Sequence, residues 1–174
     1  MILRIALDLG HGIGVDHGAT GIIQEEEIIN EVGAIIFNKL KEYGHKVKLV
    51  RPKLGITTLL QSLTNRTIGS NSFNAELFLS LHANVGGGKG SQVFTKGGIK
   101  TPLSKRILDN LNNLGFENSG VKDGSNLYVI KYTCAEAILV GLCYIDNIED
   151  VNLYKKTDNK KIAMAIVDAV GKAY

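Results

Sequence analysis

Leu77-Phe78-Leu79-Ser80-Leu81 leads directly into His82-Ala83-Asn84, and near the start of the chain Leu3-Arg4-Ile5-Ala6-Leu7-Asp8-Leu9 leads in the same way into Gly10-His11-Gly12. Both are short aliphatic runs of the kind a strand covered on both faces requires, and each ends at a histidine. Elsewhere the periodicity is helical. From Glu25 the apolar residues Ile28, Val32, Ile35, Ile36, Leu40 and Tyr43 return at helical spacing until Gly44 stops them. Further strands are predicted at residues 46–50, 91–95, 126–131 and 137–145, and further helices at 57–72, 102–114 and 160–173. The helix at 57–72 is expected to bury Leu59, Leu60, Leu63 and Ile68, and the closing helix Ile162, Ile166 and Val170. Strands alternating with helices predict an α/β fold: a mostly parallel twisted sheet with helices on both faces and its ligand site beyond the carboxyl ends of the strands. His11 and His82 then meet at one edge of one sheet.

The 174 residues, 44% of them hydrophobic, suffice for one domain with a substantial core. No apolar run approaches the ~20 residues that cross a bilayer, so membrane insertion is not expected. Residues 1–9 are interrupted by Arg4 and Asp8, unlike a signal peptide. A protein made in the cytoplasm in soluble form is expected, reaching any target outside only after release. Cys134 and Cys143 are too few for a disulfide framework and are expected as buried free thiols. The formal charge of +3 comes from lysines spread along the chain, which argues against nucleic acid as a partner and allows only mild attraction to an anionic surface.

Glu25, Glu26 and Glu27 open the helix that follows the first histidine loop. The helix dipole favours such an acidic first turn by ~0.3–1 kcal/mol per charge whatever its function. One of the three can also face the histidines, and two histidines with one carboxylate and an open position form a donor set of catalytic zinc sites. Spacing alone leaves the choice of glutamate open, and leaves open the plainer reading of two loop histidines beside a capped helix. His17 and His45 read as surface residues. Asn84, and Arg66 with Asn65 on the second helix, can reach the same edge as substrate contacts or serve as caps and surface groups. Gly86-Gly87-Gly88-Lys89 lacks both the Gly-Lys-Ser/Thr ending and the following helix of a phosphate loop, which excludes nucleotide binding.

The stretch Ala6-Leu7-Asp8-Leu9-Gly10-His11-Gly12, then Gly18-Ala19-Thr20-Gly21, the acidic helix start, Leu77 through Asn84, and the late Ala137-Ile138-Leu139-Val140 with Asp146-Asn147 resemble the zinc-dependent N-acetylmuramoyl-L-alanine amidases. The likeness is closest to the catalytic domains of clostridial phage endolysins and runs nearly the full length. It implies a six-stranded sheet, one catalytic domain over residues 1–174 acting as a monomer, and one Zn2+ bound by two histidines and a glutamate. The reaction implied is hydrolysis of the amide between the lactyl group of N-acetylmuramic acid and L-alanine in bacterial peptidoglycan. His11 and His82 match the family's histidine ligands, and Glu25 is taken as the glutamate because it leaves Ile28, Val32 and Ile36 on the buried helix face. The family's last strand carries a second glutamate, the general base toward zinc-bound water, and in this chain that position is Gly141. Glu136 and Asp146 stand an odd number of residues from Gly141 and are expected on the other face, with Cys143 on the same face. The resemblance therefore implies an amidase of impaired turnover, with two alternatives: a non-catalytic peptidoglycan-binding module that retains zinc, or a zinc peptidase or deacylase with another substrate.

Overall fold

The computed structural model describes residues 1–173, apart from the side chain of Lys172. In chain order the elements are β1 (Arg4–Leu9), α1 (Glu25–Glu42), β2 (Lys46–Leu49), α2 (Leu59–Ser72), β3 (Leu77–Asn84), β4 (Ser91–Thr95), α3 (Pro102–Asn113), β5 (Asn118–Asp123), α4 (Tyr128–Tyr132), β6 (Glu136–Tyr144), α5 (Ile148–Lys156) and α6 (Asn159–Ala173). They form one α/β domain around a six-stranded sheet of order β2-β1-β3-β6-β4-β5. The first four strands in that order are parallel, β4 runs antiparallel to β6, and β5 follows β4. The mostly parallel sheet is therefore as expected.

Helices α1, α3 and α6 cover one face, where Leu7, Leu79, Leu81, Val32, Ile36, Leu111 and Ile166 belong to one buried cluster. Helices α2 and α4 cover the other, over a smaller cluster of Ala6, Phe78, Val129, Ile130 and Leu139. Helix α1 buries Ile28, Ile29, Val32, Ile36 and Leu40. It ends in a Schellman motif: Gly44, at φ 87, donates its N–H to Lys41 O, and the next residue, His45, donates to Leu40 O.

Four expectations are corrected. Residues 126–131 do not enter the sheet; Tyr128–Tyr132 is the short helix α4, whose Val129 and Ile130 pack onto the sheet's smaller cluster. The fifth strand lies earlier, at Asn118–Asp123, where a sheet edge with little to bury on either face tolerates a polar sequence. Helix α2 turns its face around: Leu59, Leu60 and Ile68 are 53%, 61% and 56% exposed, while Ser62, Arg66, Thr67 and Ser70 are buried. Cys134 is exposed, because it follows α4 in a loop rather than sitting within a strand, whereas Cys143 is buried as expected. His17 is exposed, and His45 is half-buried with Nδ1 accepting the Leu3 N–H at 3.1 Å.

Candidate metal centre

β1 and β3 are hydrogen-bonded parallel neighbours, so the residues at their carboxyl ends come out side by side. His82 lies on β3 near its end, and His11 follows β1 with its backbone at φ 53, in the left-handed region that non-glycine residues rarely adopt. Glu25, the first residue of α1, enters between them. The donor atoms of His11, Glu25 and His82 all lie within 4.8 Å of one another. Glu25 Oε1 is 3.0 Å from His82 Nδ1, and Glu25 Oε2 is 3.6 Å from His11 Nε2. The same carboxylate accepts the backbone N–H groups of Ala83 and Ala19, at 3.0 and 2.9 Å, so its position is fixed from both sides. Glu26 instead accepts from Gly18 N, and Glu27 is exposed.

Two nitrogens and one carboxylate oxygen are suitable donors for a divalent metal. At metal–ligand distances of ~2.0–2.1 Å, small side-chain movements would bring them into one coordination sphere. The histidine side chains stay 27% and 21% exposed while Glu25 is buried, so a bound ion would remain reachable from outside. Gly10 makes room for this arrangement. A Cβ there would stand 2.3 Å from His82 Cε1, so alanine at position 10 would push the imidazole away.

A buried polar network supports the centre. Asp16 Oδ1 accepts from His11 Nδ1 at 2.8 Å, which leaves Nε2 facing Glu25. Asp16 Oδ2 accepts from Ser62 Oγ at 2.5 Å and from Arg66 Nη2 at 3.1 Å. Arg66 Nη1 donates to Asp8 Oδ1 at 2.5 Å and to Leu9 O, Nη2 also donates to His11 O, and Nε donates to Ser62 Oγ. Ser80 Oγ closes the set on Asp8 Oδ2 at 2.7 Å. All five guanidinium N–H donors are thereby committed inside the protein. Arg66, expected as a rim contact for substrate, is thus a buried support, because two carboxylates beneath α2 require a cation there. Burial acts to raise the pKa of Asp16, but hydrogen bonds from Ser62 and His11 and the charge of Arg66 outweigh it and hold the carboxyl below the usual range. For Glu25, burial is again outweighed, here by His82, the Ala19 N–H and His11, and the net shift is downward.

Gly141 pairs with His82 across β3 and β6 and is buried. A Cβ built there would meet Asn84 Oδ1 at 2.2 Å and Nδ2 at 2.5 Å. The Asn84 amide therefore occupies the space in which a side chain at 141 would begin. Asn84 Nδ2 is buried and has no hydrogen-bond partner among the described residues. The register shifts after this pair: Asn84 is matched with Tyr144, which leaves β6 one residue longer over the interval. The bulge sends Cys143 into the large cluster on the α1 and α6 side, away from the face of Gly141 where simple alternation places it. Burial pushes its thiol up to about 12. Asp146 is turned onto the N–H groups of Gly86 and Gly87, at 2.8 and 2.9 Å, which hold its carboxyl below the usual range. Among the described residues, the cluster that could hold a metal consists of His11, Glu25 and His82 alone, with no further carboxylate.

A cleft of about 330 Å³ opens beside the histidines. One wall is Leu59, Leu63 and Arg66 of α2, the other is the 126–129 segment entering α4, and Leu139 lies between. Thr64 and Tyr128 join the walls by a hydroxyl–hydroxyl hydrogen bond of 2.9 Å. Sequence reasoning did not single out Asp8, Asp16, Ser62 and Ser80. The available signal was a polar residue at a buried position of each apolar strand, Asp8 in β1 and Ser80 in β3.

The family model described as N-acetylmuramoyl-L-alanine amidase matches residues 5–172. Among curated relatives, the amidase CwlM of Bacillus licheniformis is 30% identical over 161 residues, covering 90% of this chain and 62% of that protein. LytC of Bacillus subtilis, also an N-acetylmuramoyl-L-alanine amidase, is 32% identical, covering 98% of this chain and 35% of its own length. The chain thus spans only part of the curated relatives it matches. Among solved structures, the catalytic domain of the CD27L endolysin targeting Clostridia difficile superposes with a TM-score of 0.87 at 28% identity, covering 98% of this chain and 97% of that one.

Proposed function

Because this chain belongs to the N-acetylmuramoyl-L-alanine amidase family, we propose that it is the catalytic-type domain of a peptidoglycan amidase, directed at the amide between N-acetylmuramic acid and L-alanine, with one Zn2+ held by His11, Glu25 and His82. The observation that carries this reading is the convergence of those three side chains at the carboxyl edge of the sheet. A zinc ion bound there would supply Lewis acidity and lower the pKa of a bound water toward ~7.

The chain's own residues orient and exclude. Asp16 holds the His11 ring, the two backbone N–H groups of Ala83 and Ala19 hold Glu25, and Arg66 neutralises the carboxylates behind them. The cleft beside the histidines offers Leu59, Leu63, Val129 and Leu139 to an uncharged part of the substrate, since the charges that line it are already paired with one another. What the chain lacks is a proton acceptor at position 141, where the family has its general-base glutamate. General acid–base catalysis is worth roughly 10²- to 10⁴-fold, so turnover is expected to be lower by that factor. The Asn84 amide beside Gly141 can donate a hydrogen bond to a carbonyl but cannot take up a proton near neutrality.

Gly141 also favours a second reading, a wall-binding module that keeps the metal centre without turnover. Release of stem peptide from purified wall, by this protein and by Gly141→Glu with and without a zinc chelator, separates the two. Activity that is restored in the variant and abolished by chelation supports the amidase reading. Equal activity in both proteins would place the base elsewhere and overturn the role given to position 141. Wall binding with no hydrolysis by either protein supports the binding module.

A further inference from the structure

We propose that Arg51 is a positioning residue of the metal centre: its guanidinium ties the loop that carries His11 to the helix that carries Glu25. This rests on the zinc site proposed above and adds to it a residue that hydrogen-bonds none of the three ligand side chains.

The sequence after β2 creates the need for it. β1 and β2 pair in parallel, and the carbonyls of Leu3 and Leu7 accept from the backbone N–H groups of Lys46 and Val50, at 2.9 and 3.0 Å. Such a ladder advances two residues at a time on each strand, so the carbonyl after Leu7 O in this series, Leu9 O, falls to residue 52. That residue is Pro52, which has no N–H to give. The Arg51 side chain supplies the donor instead: Nε donates to Leu9 O at 2.7 Å, and Nη2 donates to Gly10 O at 2.8 Å. Arg66 completes the grip, with Nη1 also on Leu9 O at 2.8 Å and Nη2 on His11 O at 2.9 Å. Three successive carbonyls where β1 ends are thus held by guanidinium groups, and a carbonyl left inside the protein without a partner is costly.

The turn so held is a tight one. His11 sits at φ 53 and Gly12 at φ 76, and a Cβ at position 12 would stand 2.8 Å from Arg51 Nη1. A non-glycine residue keeps a left-handed backbone only where its surroundings fix it, and the two arginines fix the backbone at and before His11. The third contact of Arg51 reaches the helix of another ligand. Nη1 donates to Asn30 Oδ1 at 2.7 Å, and Asn30 lies five residues beyond Glu25 on α1, a rise of about 7.5 Å. His11 and Glu25 come from separate elements, with Nε2 and Oε2 3.6 Å apart, and one guanidinium bonded to both elements sets how far apart they stand. The planar fork of arginine suits three acceptors so placed, whereas lysine carries the same charge at a single point.

The test is the zinc affinity of the full chain, by competition with a chelator, for the parent, Arg51→Met, Arg51→Lys, Asn30→Ala and the control Arg4→Met. It is joined to hydrogen exchange of the Gly10, Ile13, Asp16 and Gly18 amides in the metal-free protein, all of which are hydrogen-bonded in the fold. Arg4 is a matched control because it too donates to a backbone carbonyl, that of Asn74, but at the opposite end of β1. Both Arg51 variants should lose at least about tenfold in zinc affinity, with no rescue by lysine. Asn30 is exposed and alanine is the better helix former, so Asn30→Ala should be no less stable than the parent and yet lose about threefold in zinc affinity. Added to Arg51→Met it should cost nothing further, since its contact is already gone. Arg4→Met should change the affinity by no more than about twofold. In metal-free Arg51→Met the four loop amides should exchange at least about tenfold faster, relative to those of α6, than in the parent. Parent-like zinc binding by Arg51→Lys, unchanged affinity in Asn30→Ala, or a loss in Arg4→Met equal to that in Arg51→Met would overturn the proposal. A parent that takes up no zinc would be a failure of the zinc reading itself. Loop amides that exchange alike in parent and Arg51→Met would overturn the role of Arg51 whether or not zinc binds.

Discussion

Helices α1 and α2 both carry aliphatic residues at helical spacing, more of them in α1, yet α1 buries most of its own and α2 leaves Leu59, Leu60 and Ile68 exposed. Under α1 the sheet presents Ile5, Leu7, Leu79 and Leu81, and Ile28, Val32 and Ile36 pack against that cluster fully buried. Under α2 the sheet presents Asp8 and Ser80 beside Asp16, and the helix answers with Ser62 and Arg66, leaving Leu59, Leu60 and Ile68 toward solvent. Leaving the buried carboxylates unpaired would cost more than burying the aliphatic side chains of α2 would return, so the helix face is chosen by what the strands offer. The polar patch is there because His11 needs Asp16, and Asp16 needs a cation.

The comparison can be broken at several points. The largest expected effect is at α2: Arg66→Ala leaves Asp8 and Asp16 buried without a counter-charge and should cost about 3–5 kcal/mol in urea unfolding. A loss below about 1 kcal/mol would mean that water reaches this network. At α1, Ile36→Ala should cost about 2–5 kcal/mol by the same measurement. Acid sharpens the contrast further. Asp16 and Glu25 have folded pKa values below their ordinary ones, so the stability they contribute to the metal-free protein is present above the ordinary carboxylate range and is lost as pH falls through it toward the lower folded values. In Asp16→Asn the urea midpoint should fall less steeply over that window; an unchanged slope would remove Asp16 from the account. The smallest effect is expected at Ile68→Ala, within about 0.5 kcal/mol. If Ile68→Ala costs as much as Ile36→Ala, α2 buries its aliphatic face after all.

The sequence was most legible where a feature depends on contiguous residues. The strands leading to His11 and His82, the course of α1 and its stop at Gly44 follow from runs and periodicity, and Glu25 follows from the helix register beside the family resemblance. Features that depend on a partner far along the chain were hidden. Leu127-Tyr128-Val129-Ile130 has β propensity, but its apolar side chains cover the sheet from a short helix rather than joining it. Asn118–Asp123 has few strand signals, and it pairs because β4 offers a free edge. The bulge after Gly141 inverts the alternation on which the placement of Cys143 rested, and only the pairing of β3 with β6 reveals it. The face of α2 could be read only once Asp8 and Asp16 were known to lie beneath it.

The most direct test of the central claim, that three side chains from three separate elements hold one zinc ion, is the zinc content of the purified protein at equilibrium with a competing chelator, measured for the parent, His11→Ala, Glu25→Ala and His82→Ala. The account predicts one zinc per chain in the parent and a large loss of affinity in each variant, with Gly141→Glu retaining the metal. A parent without zinc, or single variants that hold it as tightly as the parent, would contradict it.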